Sequence, residues 1–139
     1  WVARAGAVGG ADLYVHLLLP AVVALEAVAY AIAGGPAGFV LGLLLGITLF
    51  ATVLIHELGH AAMARRVGGS CRRITLWPLG GLAECDTNGA GHAARLKVAL
   101  AGPATHVPMA GFLLLLQLAC GGASVQLRDV AGWDNLLCN

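Results

Sequence analysis

From Phe39 to Ile55 the chain reads FVLGLLLGITLFATVLI, without one charged side chain, and it passes directly into HELGH at residues 56 to 60. An apolar run of that length is too long for a buried strand and suits a helix that crosses a hydrocarbon core. AAMA follows His60, so the helix can continue to Arg65 before it meets a basic residue. His56, Glu57 and His60 therefore sit on a segment that hydropathy assigns to lipid. An ionisable side chain there costs about 2.5 to 3.5 kcal/mol on insertion scales, so three of them on adjacent turns need a compensating role.

The rest of the chain agrees with a membrane setting. Apolar residues make up 59% of the 139 and charged residues 11%, a balance found where lipid is much of the solvent. Leu13 to Ala33 is a second apolar stretch, interrupted by Pro20 and Glu26 and closed by the turn GGPAG at 34 to 38. LKVALAGPATHVPMAGFLLLLQLAC, from Leu96 to Cys120, is a third, with Pro103 and Pro108 as kinks of the kind that membrane helices tolerate. Between the last two spans, RRITLWPLGGLAEC has β-branched and aromatic residues before a Pro/Gly centre and a shorter apolar run after it, the pattern of two short strands. The expectation is a single membrane-embedded domain over residues 1–139, all-α, with about three transmembrane helices at about 13–33, 38–64 and 96–120. A short β-hairpin at about 71–85 joins the last two.

Charge sets the orientation. Arg65, Arg66, Arg72, Arg73, Arg95 and Lys97 crowd around the connection between the last two spans, whereas the turn between the first two carries no charge. The positive-inside rule puts the loop 65–95 on the cytoplasmic side, or the stromal or matrix side of an organelle, of a multi-pass protein. Net charge is only +1 and no basic cluster is interleaved with aromatics, which excludes nucleic acid as a partner. The four cysteines form no CxxC pair and read as small apolar packers. A hairpin about Pro78 would bring Cys71 opposite Cys85, but the basic side of a membrane is normally reducing, which favours free thiols.

Four-residue spacing places His56 and His60 on one face of a helix, one turn apart, so two imidazoles can share one tetrahedral metal. Glu57 is adjacent but offset around the axis, within reach of a metal-bound water without binding the metal. Zn2+ lowers the pKa of such a water toward about 7, and a carboxylate can take its proton and pass it to a leaving amine. The chemistry is peptide hydrolysis.

HELGH at the inner end of a membrane helix, then ITLWPLGGLAE, then ALAGPATH on a later helix, resembles the site-2 protease family of intramembrane zinc metalloproteases over residues 38 to 120. The resemblance implies zinc on His56 and His60, Glu57 as catalytic base, and cleavage of membrane-spanning protein substrates within the bilayer. Two departures stand out. The family's third ligand is an aspartate in an LDG-type motif on a further helix, and no LDG occurs here; DNLLCN is where that helix would begin, so the chain reads as cut before its third ligand. His106 stands where the family commonly has asparagine in GPxxN, which leaves it either bonded to a carbonyl of the kinked helix or polarising substrate. Gly80 and Gly81, in the hairpin, are expected at an edge strand along which an extended substrate adds.

Glu26 reads as a paired or protonated group within a span, Glu84 as a poor metal ligand because it follows a Gly-rich turn, and His16 and His92 as residues away from any metal. The alternative to a protease is an inactive protease-like membrane subunit with a structural or assembly role beside partner subunits. A transporter lacks support, because neither repeat symmetry nor paired broken helices are visible.

Overall fold

The computed structural model describes residues 1–119. DNLLCN and the cysteines at 120 and 138 lie outside them. Two strands come first, β1 (Val2–Val8) and β2 (Ala11–His16), followed by the long helix α1 (Leu18–Arg66). The hairpin strands β3 (Ser70–Trp77) and β4 (Gly80–Asp86) come next, then α2 (Gly91–Ala104) and α3 (His106–Ala119). The strands form one sheet in the order β1-β2-β3-β4, antiparallel except for the parallel pair β2/β3. Helix α1 is the crossover between those parallel strands.

The all-α expectation is therefore overturned. A four-stranded mixed sheet is a substantial part of the fold, not a lone hairpin, and among the described residues two helices, not three, are long and apolar enough to cross a membrane. The physical reason lies in residues 11–16, ADLYVH, which hydropathy groups with the helix that follows. Their alternating side chains pair instead with β1 on one side and β3 on the other, satisfying the backbone between strands. Cys71 and Cys85, directly opposed in the β3/β4 register, are joined by a disulfide rather than free.

Helix α1 has two arms. Gly34 and Gly35 leave helical geometry, Gly35 with φ 61° and ψ −148°, a conformation open in practice only to glycine, and Pro36 then restarts the helix. The arms fold back antiparallel: Gly38 meets the backbone of Tyr30, Gly42 that of Ala27, and Gly46 the side chain of Val23. Glycine every fourth residue lets the backbones approach closely, the packing device of membrane helices. Val40, Leu44, Leu45, Ile47 and Leu49 stay exposed on the outside of the second arm.

The core joins the sheet to the end of that arm. Ile74, Leu76 and Cys71 from β3 pack with Ala11 from β2 against Ala61, flanked by Leu54 and Leu58. On α1 these contacts fall at 54, 58 and 61, one helical stripe. A bulge between Cys71 and Arg73 brings Cys71 and Ile74, three residues apart, onto the same buried face. Because both ends of α1 attach to neighbouring strands, its two arms must return to the same end of the molecule.

Adding a methyl at Gly42 places it 2.8 Å from the Ala27 Cα. Gly42→Ala should lower stability by about 1–3 kcal/mol in detergent thermal unfolding. Leu44→Ala, on the exposed face, should change it far less.

Candidate metal centre

His56, Glu57 and His60 lie on the unbroken second arm of α1. The imidazoles lie against α2 and the start of α3, and the Glu57 carboxylate against β4. Their rings are 4.8 Å apart between centroids, and the two Nε2 atoms are 3.1 Å apart. Two nitrogens bound at about 2.05 Å to one tetrahedral ion stand about 3.3 Å apart, so the pair matches the bite of a single metal. The backbone carbonyl of Val98 on α2 lies 2.7 Å from His60 Nδ1. That oxygen can only accept, so His60 Nδ1 carries the proton and its Nε2 offers a lone pair.

Two glycines make room for this. A Cβ on Gly59, inside HELGH, would lie 2.6 Å from the Ala101 carbonyl and 2.7 Å from the Thr105 methyl, so α1 and α2 touch backbone to backbone there. A Cβ on Gly102 would lie 2.7 Å from His56 Nε2 and closer still to His60 Nε2. The bare Cα thus lets both rings lie against the backbone of α2. These residues fit a metal ion: two imidazole nitrogens at the spacing that one tetrahedral ion requires, one ring oriented by an outer hydrogen bond, at the wall of an open cleft.

Glu57 is 5% exposed. A Cβ on Gly81 would lie 2.6 Å from its Oε1, so any side chain on β4 at that point would force the carboxylate to move. The three side chains of the motif open together into a cleft of about 600 Å³ whose other walls are β4 from Gly81 to Asp86 and the α2 residues Arg95, Val98 and Ala99. Strand β4 is an edge of the sheet, so its outer backbone groups face away from β3.

The remaining candidates are dispersed. His106 Nε2 lies 3.0 Å from His56 Nδ1, on the far side of that ring from His60. Gly80 is at the turn that starts β4. Glu84 is exposed and lies outside the cleft lining, His92 is exposed at the start of α2, and His16 Nδ1 accepts the Leu18 amide at the start of α1. Glu26 is half-buried between the arms of α1, facing Gly46. Sequence reasoning missed Gly59, Gly102 and the Val98 carbonyl. A glycine inside an otherwise helical apolar run was the available signal, since it marks close backbone approach.

The family model described as Peptidase family M50 matches residues 44–132, which include the whole of this arrangement. The chain belongs to that family. It is 34% identical over 87 residues to the Mycobacterium tuberculosis protein named "Putative zinc metalloprotease Rip3", a match over 61% of this chain and 22% of that protein. It is 38% identical over 55 residues to zinc metalloprotease MJ0392 of Methanocaldococcus jannaschii, covering 40% of this chain and 16% of the relative. The chain thus spans about a fifth of the length of the curated relatives it matches. The solved site-2 protease from Methanocaldococcus jannaschii shares the fold, with a TM-score of 0.68 at 24% identity over 85% of this chain and 52% of the other. The site-2 protease resemblance read from HELGH, ITLWPLGGLAE and ALAGPATH stands. Membership of this family, with two helices apolar enough to cross a bilayer, makes the chain a membrane protein.

The contact at Gly59 is backbone against backbone and cannot be relieved by turning a side chain. Gly59→Ala should destabilise the protein by about 1–3 kcal/mol through overpacking against α2. Thermal unfolding in detergent reads the loss.

Proposed function

We propose that this chain forms the core of an intramembrane zinc endopeptidase, with His56 and His60 holding the metal through Nε2 and Glu57 carrying the proton. The observation that supports it most is the approach of two imidazole Nε2 atoms to 3.1 Å, against the bare Cα of Gly102, with a buried carboxylate opening into the same cleft as both rings. Zinc supplies a Lewis acid that makes a bound water acidic near neutral pH. Glu57, on the β4 side of the cleft, accepts the proton of the attacking water at its carboxylate and delivers it to the departing amine nitrogen. Low exposure keeps bulk water from competing for that proton. Among the described residues no group of three or more His, Cys, Asp or Glu side chains gathers as a metal site.

The substrate class follows from the cleft. A transmembrane helix must be unwound before its peptide bond is accessible, and unwinding exposes backbone groups that lipid cannot satisfy. The outer edge of β4, beginning at Gly80 and Gly81, can take up an extended segment as an added strand beside Glu57. In this reading α1 and the α2–α3 pair span the bilayer, and the basic segment 65–95 lies on the cytoplasmic, stromal or matrix side. Partner subunits are not required by this mechanism.

Zinc content per chain and cleavage of a transmembrane-helix substrate, measured on the full-length protein, test the assignment together. Glu57→Gln should keep its zinc while cleavage falls roughly 10²- to 10⁴-fold. His60→Ala should lose both. Wild-type protein that holds no zinc and cuts nothing would overturn the proposal and leave the inactive-subunit reading.

Gly81→Ala addresses the geometry around the base. The added methyl displaces Glu57, so cleavage should fall roughly a hundredfold with zinc retained. Unchanged cleavage would show that the carboxylate does not act from this position.

A further inference from the structure

His106 is a polar side chain on a helix whose neighbours are Val107, Phe112 and a run of leucines, all exposed on the outside of α3. An imidazole in such a setting needs a partner. It has one: Nε2 of His106 is 3.0 Å from Nδ1 of His56, and the two ring centroids are 5.1 Å apart. The backbone explains how the ring reaches it. Helix α2 ends at Ala104, and Thr105 folds its hydroxyl onto the Gly102 carbonyl at 2.7 Å. Pro108 cannot donate a backbone N–H to Ala104, so α3 starts afresh at His106 and the axis bends at this point.

We propose that His106 is a positioning residue for the metal: it accepts the Nδ1–H of His56 and thereby holds that ring in the tautomer that offers Nε2. The inference rests on the zinc reading above. The two metal-facing histidines are then oriented in different ways. His60 gives its Nδ1 proton to a backbone carbonyl, Val98, which no side-chain substitution can remove. His56 has no carbonyl in that role, and a side chain supplies the acceptor. An imidazole lone pair accepts the proton only if the proton of His106 itself sits on Nδ1. With the acceptor missing, the His56 Nδ1–H is left unbonded in an apolar setting, and the ring is free to turn or change tautomer.

The test is zinc affinity of full-length protein in detergent, by competition with a chromophoric chelator, with the visible spectrum of the cobalt-substituted protein as a second readout. His106→Ala and His106→Phe should each weaken zinc binding roughly 10- to 100-fold and alter the cobalt ligand-field bands. His106→Gln, whose Oε1 reaches about as far as the histidine Nε2 and can accept the same proton, should restore affinity and spectrum to near wild type. Phe retains the bulk of the ring without an acceptor, so it separates packing from hydrogen bonding. Wild-type affinity and spectrum in His106→Phe would overturn the inference, as would His106→Gln binding as weakly as His106→Ala. In both cases zinc bound to wild type leaves the metal assignment intact. Wild type without zinc would overturn that assignment and this inference with it.

Discussion

The close contact of α1 and α2 at Gly59 and Gly102 is the constraint on which the rest of the site depends. With no side chain at Gly59 the backbone of α1 meets that of α2, and with none at Gly102 the imidazoles of His56 and His60 lie against the face of α2. Val98 and Gly102 are one turn apart on that face. The first grips His60 through its carbonyl, and the second lets both Nε2 atoms lie close to the α2 backbone. A larger residue at Gly59 moves the helices apart, and one at Gly102 displaces the rings, by more than the tolerance of a metal site, which is a few tenths of an ångström.

The sheet supplies the third direction. Because β2 and β3 are parallel neighbours, the chain must leave one and return to the start of the other, and the folded-back arms of α1 make that journey. Its last turns are then pinned on the sheet by Ile74, Leu76 and Ala61, which aims Glu57 at the glycine of β4. The histidine-bearing and glutamate-bearing sides of one helix are thus fixed by two different partners. A histidine pair and a carboxylate on adjacent residues can do different chemistry for this reason.

Much of the site was legible in the sequence, and less of the fold. HELGH on a helix follows from spacing and the lack of proline between Phe39 and Arg66, and the hairpin about Pro78 from its turn residues. The break at GGP was visible as a turn, and the structure adds that glycines 38, 42 and 46 let the arms close. The N-terminal strands were not legible. WVARAGAVGGADLYVH is rich in glycine and alanine and gives little period-2 signal, and its pairing partner lies beyond α1. Long-range parallel pairing leaves no local mark. The same holds for the contact of His106 with His56, fifty positions away.

The central claim is that two imidazoles of one helix share a zinc ion. X-ray absorption at the zinc edge of the full-length protein measures this directly. Scattering from two histidine rings, with nitrogen at about 2.0–2.1 Å, is the result predicted, retained in Glu57→Gln and reduced to one ring in His60→Ala. A zinc shell that contains no imidazole, or one that His60→Ala leaves unchanged, would contradict it.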